Sequence, residues 1–255
     1  MKSSIVNQGR IAAFSMSVIC AIVVIVIFNI LPSIFPSTKQ LALILVDNHN
    51  GTANLFAVQN FMWIAFFIGL AELWIRILYI REEEKELSAE LLPQTPNTLI
   101  TTAQIGLLRE RLKNRTGVLS GIIGRLLDNF TVNQATDRCN THLTAEVELI
   151  SNDIDRAYAS LRYIVWLLPT LGFVGTVWGI MKALDAAEQK SGSGDLLSAV
   201  VDKMSVAFCT TLLALILSCI LVFAMQLIQT REEDYLNKSH RYCLTYFINR
   251  LYDKK

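Results

Sequence analysis

Of the 255 residues, 53% are hydrophobic and only 18% charged, too apolar a mixture for an ordinary soluble domain. The formal charge is +1, with 23 Lys and Arg against 22 Asp and Glu, so the chain offers no basic surface of the kind that nucleic acid needs, and nucleic acid is not an expected partner. The five cysteines show neither CxxC spacing nor a neighbouring histidine cluster and read as small packing residues.

Four uncharged runs, near residues 11–31, 54–71, 163–181 and 204–230, are each long enough to cross a bilayer. They predict an all-α protein of four transmembrane helices with a cytoplasmic helical region. The pieces are an N-terminal helix pair over 1–80, the cytoplasmic region over 81–160, a second helix pair over 161–230 and a C-terminal helix over 231–255. Only Lys39, Lys182, Lys190 and Lys203 fall in the two loops on one side, leaving 19 of the 23 basic residues for the other. The richer side is expected to be cytoplasmic, with both termini inside.

The first run follows Lys2 and Arg10 but is longer than a signal-peptide core and has no A-x-A site after it, so a retained, lipid-facing anchor is expected. The second ends in Glu72 and Arg76, four apart on one helical face and able to pair where the helix leaves the membrane. The charged run "REEEKE" and the Pro-marked break "LLPQTPNT" follow, the charges reading as a solvated exit. From Thr101 to Arg162 there is no proline, and Val147, Ile150, Ile154, Tyr158 and Leu161 recur at helical spacing. A long helix with a solvated charged face should therefore lead into the third run.

That third run, "LPTLGFVGTVWGIMKAL", is polarised at about 100° per residue. Gly172, Gly175, Thr176, Gly179 and Ala183 share one face with Pro169 at its edge, while Val174, Val177, Trp178 and Met181 point away. Small faces let another backbone approach closely, and Gly175 and Gly179 form a G-x-x-x-G pair. Packing alone gives no reason for Thr176 at the centre, nor for a proline that frees a backbone carbonyl. The fourth run repeats the arrangement: Ala207, Thr211, Ala214 and Ser218 form a stripe bordered by Thr210. Its uncharged stretch is about 40 Å long at 1.5 Å per residue, so its cytoplasmic end should project beyond the hydrocarbon.

Through "GFVGTVWGIMKAL" and "AFCTTLLALILS" the chain resembles the MotA/TolQ/ExbB family of ion-driven channel and motor proteins. "GTVWGIM" is similar to the ExbB/TolQ branch, "LPTLG" to the proline-bearing MotA helix and "TTL" to sodium-driven relatives of MotA. Ala214 stands where many relatives carry glycine, and the extra first span is similar to the four-span MotA layout. The resemblance implies a homopentamer in a bacterial inner membrane, its third and fourth spans lining a central pore around two copies of a single-span ExbD/TolR/MotB-like partner. It also implies that Thr176 and Thr211, with Thr210, serve the ion pathway. The transported ion would be a proton, with sodium as the alternative, and no bound cofactor or resident metal is expected. The pore runs contain no carboxylate or basic side chain, so the acid of a proton relay would come from the partner. A non-conducting scaffold, in which the small faces only pack helices among membrane lipid, is the other class. An enzyme is not expected: His49, His142 and His240 are scattered, without metal spacing or a Ser-His-Asp arrangement.

Overall fold

In hydrocarbon a chain of this kind meets its own backbone hydrogen-bonding needs by forming helices, and every element of the computed structural model described here is helical. It describes residues 15–27, 57–89, 91–92, 102–112, 115–133, 136–189 and 196–251. In chain order they form α1 (Ser15–Ile27), α2 (Val58–Ser88), α3 (Thr102–Leu112), α4 (Val118–Asn133), α5 (Thr136–Ala157), α6 (Ala159–Gln189) and α7 (Leu196–Tyr246). A short 3₁₀ turn, Ile248–Arg250, ends the series. Among the described residues three stretches are long and apolar enough to span a membrane: α2, the nearly continuous α5 and α6, and α7. The first apolar run is described only over the 13 residues of α1, the rest lying outside the described residues. On α1, Ser17 and Ala21, one turn apart, are buried, while Met16, Ile19, Ile22, Val23, Val26 and Ile27 are exposed.

The chain divides into two compact units. One comprises residues up to 75 together with 160–226. Here α6 and α7 run antiparallel: Gly172 lies against Ala214 and Thr211, and Gly179 against Ala207. The apolar part of α2 joins them where Gly69 leaves room for the Leu221 side chain.

The second unit, residues 76–159 and 227–255, carries most of the charge. Its core is a conventional apolar one. On α4, Leu119, Ile122, Ile123, Leu126, Leu127 and Phe130 recur at helical spacing and are buried against Leu108 and Leu112 of α3, Cys139 and Leu143 of α5, and Cys243 and Phe247 near the C-terminus. Val147 and Ile150 of the predicted α5 stripe pack against the same core. Helix α7 continues unbroken past residue 230 to Tyr246, because no proline or glycine interrupts it, and its end completes the core.

Two polar contacts in this unit depart from the expectation of a solvated exit. The Arg76 guanidinium, which local spacing offered to Glu72, donates to both carboxylate oxygens of Glu232, at 3.3 and 3.1 Å, and both residues are buried. The Tyr158 hydroxyl donates to the same carboxylate at 2.8 Å, and the guanidinium stacks 4.2 Å from the Tyr158 ring centroid. Tyr158 is also where the helix into the third run breaks: its amide divides between the carbonyls of Ile154 and Asp155, at 3.2 and 3.3 Å. Within "REEEKE", Glu83 is buried rather than solvated, because its helix face is covered by the start of α4 and by Tyr235 of α7.

Candidate ion-pathway site

The small faces of α6 and α7 meet each other. A methyl group on Gly172 would fall 2.5 Å from the Ala214 Cβ, and one on Gly179 2.5 Å from the Ala207 Cβ and 3.1 Å from its Cα. At Gly175 the obstruction is the Thr210 hydroxyl, 2.8 Å away. Each glycine is therefore required by close approach of a neighbouring helix. Ala183 is buried one turn further along the same face. The neighbour that these small stripes need is within the same chain. What the pair exposes is the bulky side: Phe173, Val174, Val177, Trp178 and Met181 on α6, and Phe208, Leu212, Leu215, Ile216 and Phe223 on α7.

The threonines lie at the centre of this contact. Thr176 and Thr211 are partly buried and their hydroxyls are directly hydrogen-bonded to one another across the two helices. The same two hydroxyls share two backbone acceptors. Thr176 reaches the carbonyls of Gly172 at 3.0 Å and Ala207 at 3.5 Å, and Thr211 reaches both at 3.3 Å. Thr210 is buried and donates to Ala207 O at 2.7 Å. Each hydroxyl has a single proton. One threonine thus donates to the other, which donates to a carbonyl, and lone pairs remain on both oxygens. A carboxylate entering this site could be hydrogen-bonded only after at least one hydroxyl turned away from its present acceptor.

Proline has a precise local effect two turns away. Pro169 cannot donate to the carbonyl four residues earlier, which is that of Val165. The Ser218 hydroxyl of α7 donates to this carbonyl at 3.1 Å, and Ser218 is itself buried. A polar residue in the middle of an apolar run is thereby explained by a backbone acceptor 53 residues away. All eleven positions singled out by sequence fall on α6 or α7. The carbonyls of Gly172 and Ala207 were missed, since backbone groups leave no mark in side-chain patterns; the carbonyl freed by Pro169 was foreseen, but not its partner Ser218.

Long apolar helices, two of them joined through small faces with a partly buried hydroxyl pair at mid-contact, define a multi-span membrane protein. The profile of the MotA/TolQ/ExbB proton channel family matches residues 101–240, more than half of the chain, and the protein belongs to this family. This is a class of channel and motor subunits rather than of enzymes. No curated protein and no solved structure gives a significant match.

Proposed function

We propose that the protein is the pore-forming subunit of an ion-driven complex in a bacterial inner membrane, acting with a single-span ExbD/TolR/MotB-like partner to convert ion flow into work on the cell envelope. The observation that carries this reading is the Thr176–Thr211 hydroxyl pair with its two shared carbonyls, set in helices whose apolar runs hold no acid or base of their own. Such a site can solvate a charge but cannot itself carry a proton through hydrocarbon, so it suits a carboxylate supplied by a partner. The proposed assembly is a homopentamer around two partner copies, with both termini in the cytoplasm. Protons are the proposed ion because a carboxylate and few hydroxyls suffice for them. Sodium, which needs several oxygen ligands once dehydrated, is the competing choice, with Thr210 as a further oxygen.

The non-conducting scaffold is the second reading, favoured by the way the glycine faces are consumed within one chain and the threonines bond to backbone. Flux into vesicles separates the two. With the partner present, a proton gradient should drive flux that a sodium gradient does not. Thr176→Val and Thr211→Val should each lower it about tenfold or more, the worth of a buried hydrogen bond to a charged group. Absence of flux under either gradient favours the scaffold, and wild-type flux in both variants removes the threonines from the pathway.

A further inference from the structure

The charged unit contains a second feature, independent of the ion-pathway reading. Glu232 has a cationic partner in Arg76, whereas Glu83, equally buried, is met by neutral donors. Its Oε2 accepts the backbone N–H of Val118, the first residue of α4, at 2.8 Å and the Tyr235 hydroxyl at 3.0 Å. Tyr79, one turn earlier on α2, also interacts with it. Glu86, three residues later on α2, presses its carboxylate into the space where Gly117 lacks a side chain, and its buried Oε2 has no hydrogen-bond donor. The titratable groups facing Glu83 are thus Tyr79 and Glu86 from α2 and Tyr235 from α7, while α4 contributes the Val118 amide. Among the described residues these include no cation. Two carboxylates converge on the entry to α4, one bonded to neutral donors and the other, among the described residues, with an oxygen that no donor meets.

We propose that Glu83 keeps a proton while α4 is docked against it, making the attachment of α4 to α2 a clamp that is tight when the proton is present and loosens as the surrounding compartment turns alkaline. The proton removes one of the two like charges gathered at the entry to α4, where burial leaves the Glu83 carboxylate poorly solvated. Burial raises the Glu83 carboxyl above its ordinary range; the Val118 amide and Tyr235 hydroxyl oppose this, and the Glu86 charge adds to the rise. The sign follows by linkage. A carboxyl that binds its proton more tightly when docked than when open favours docking at low pH, and that advantage is lost as pH rises through the raised value. Any consequence for ion flow rests on the function proposed above, but the clamp itself does not.

Hydrogen exchange on the full-length protein in lipid nanodiscs, between pH 5.5 and 8.5 and corrected for intrinsic rates, tests this at the amides of residues 118–121, with residues 139–147 of α5 as internal reference. In wild type the first-turn amides should lose protection with rising pH, by up to about tenfold per pH unit, the limit for one proton taken up on closing. Glu83→Gln, permanently neutral, should stay protected throughout, and Glu86→Gln, which removes the like charge, should shrink the pH response. Wild-type protection that does not change with pH, or Glu83→Gln responding as wild type does, would overturn the clamp. Flux unchanged between these variants, with the exchange pattern as expected, would leave the clamp standing and detach it from transport.

Discussion

Arg76, Glu232 and Tyr158 show how a buried charge is held where apolar runs give way to polar ones. The ion pair is buried on both sides, and removing one member leaves the other uncompensated, at a cost of about 3–5 kcal/mol. Glu232→Leu should therefore destabilise the protein by that amount in a denaturant titration, and the double variant Arg76→Met/Glu232→Leu by clearly less than the sum of the singles. Tyr158→Phe keeps the ring under the guanidinium and removes one donor to the carboxylate. A loss of about 1.5–3 kcal/mol is expected, typical of a hydrogen bond to a charged group. A double variant as costly as the two singles together would mean that the charges do not act as a pair.

Between helices the decisive quantity is the distance of approach. Ala214 and Ala207 carry methyl groups fixed directly to their backbone, so they cannot turn away from a methyl added at Gly172 or Gly179. Gly172→Ala and Gly179→Ala should each cost about 1–3 kcal/mol, the usual penalty for overpacking. Moving the methyl across the contact, as Gly172→Ala/Ala214→Gly or Gly179→Ala/Ala207→Gly, should recover most of it in the same unfolding assay. Gly106 of α3 has open space beside it, and Gly106→Ala should stabilise by about 0.5–1 kcal/mol through helix propensity alone. Both small stripes were legible in the sequence, because helical period and residue size are local properties. Which surface each stripe would meet was not. The pairing of Arg76 with Glu232 spans 156 residues and that of Val165 with Ser218 spans 53, and neither separation has any periodic signature. Helix α4 and its apolar face were also not singled out by sequence, since its short repeat of leucine and isoleucine sits among charged neighbours that suggest only a generic helical region.

For the whole molecule, the sealed glycine faces shift the question of assembly to other surfaces. Small residues already satisfied within one chain cannot be the reason for association, so copies would have to meet through exposed bulky side chains such as Phe173, Trp178, Phe208 and Phe223. Those surfaces otherwise face lipid. Native mass spectrometry of the detergent-extracted protein should give a homopentamer, and a monomer or symmetric dimer would count against a shared pore. Under this arrangement Gly175→Leu and Gly179→Leu injure each chain's own helix pair first, so loss of folded monomer should accompany loss of the pentamer. Helix α7, with 51 residues, is about 77 Å long at 1.5 Å per residue, more than twice a hydrocarbon core of about 30 Å. Much of it must therefore lie outside the hydrocarbon, in keeping with its charged second half.

Proline joints in helices are usually free to flex, because the missing rung leaves a carbonyl with nothing to hold it. Here that rung has been replaced from outside: the carbonyl released at Val165 is tethered to the Ser218 hydroxyl of the adjacent helix. Opening the joint would strip this acceptor of its donor, at a cost of about 0.5–1.5 kcal/mol, so a bend of α6 at Pro169 is favoured only if Ser218 of α7 follows. The proline joint of α6 is thus tied to α7 by a polar contact as well as by the small faces that pack around it.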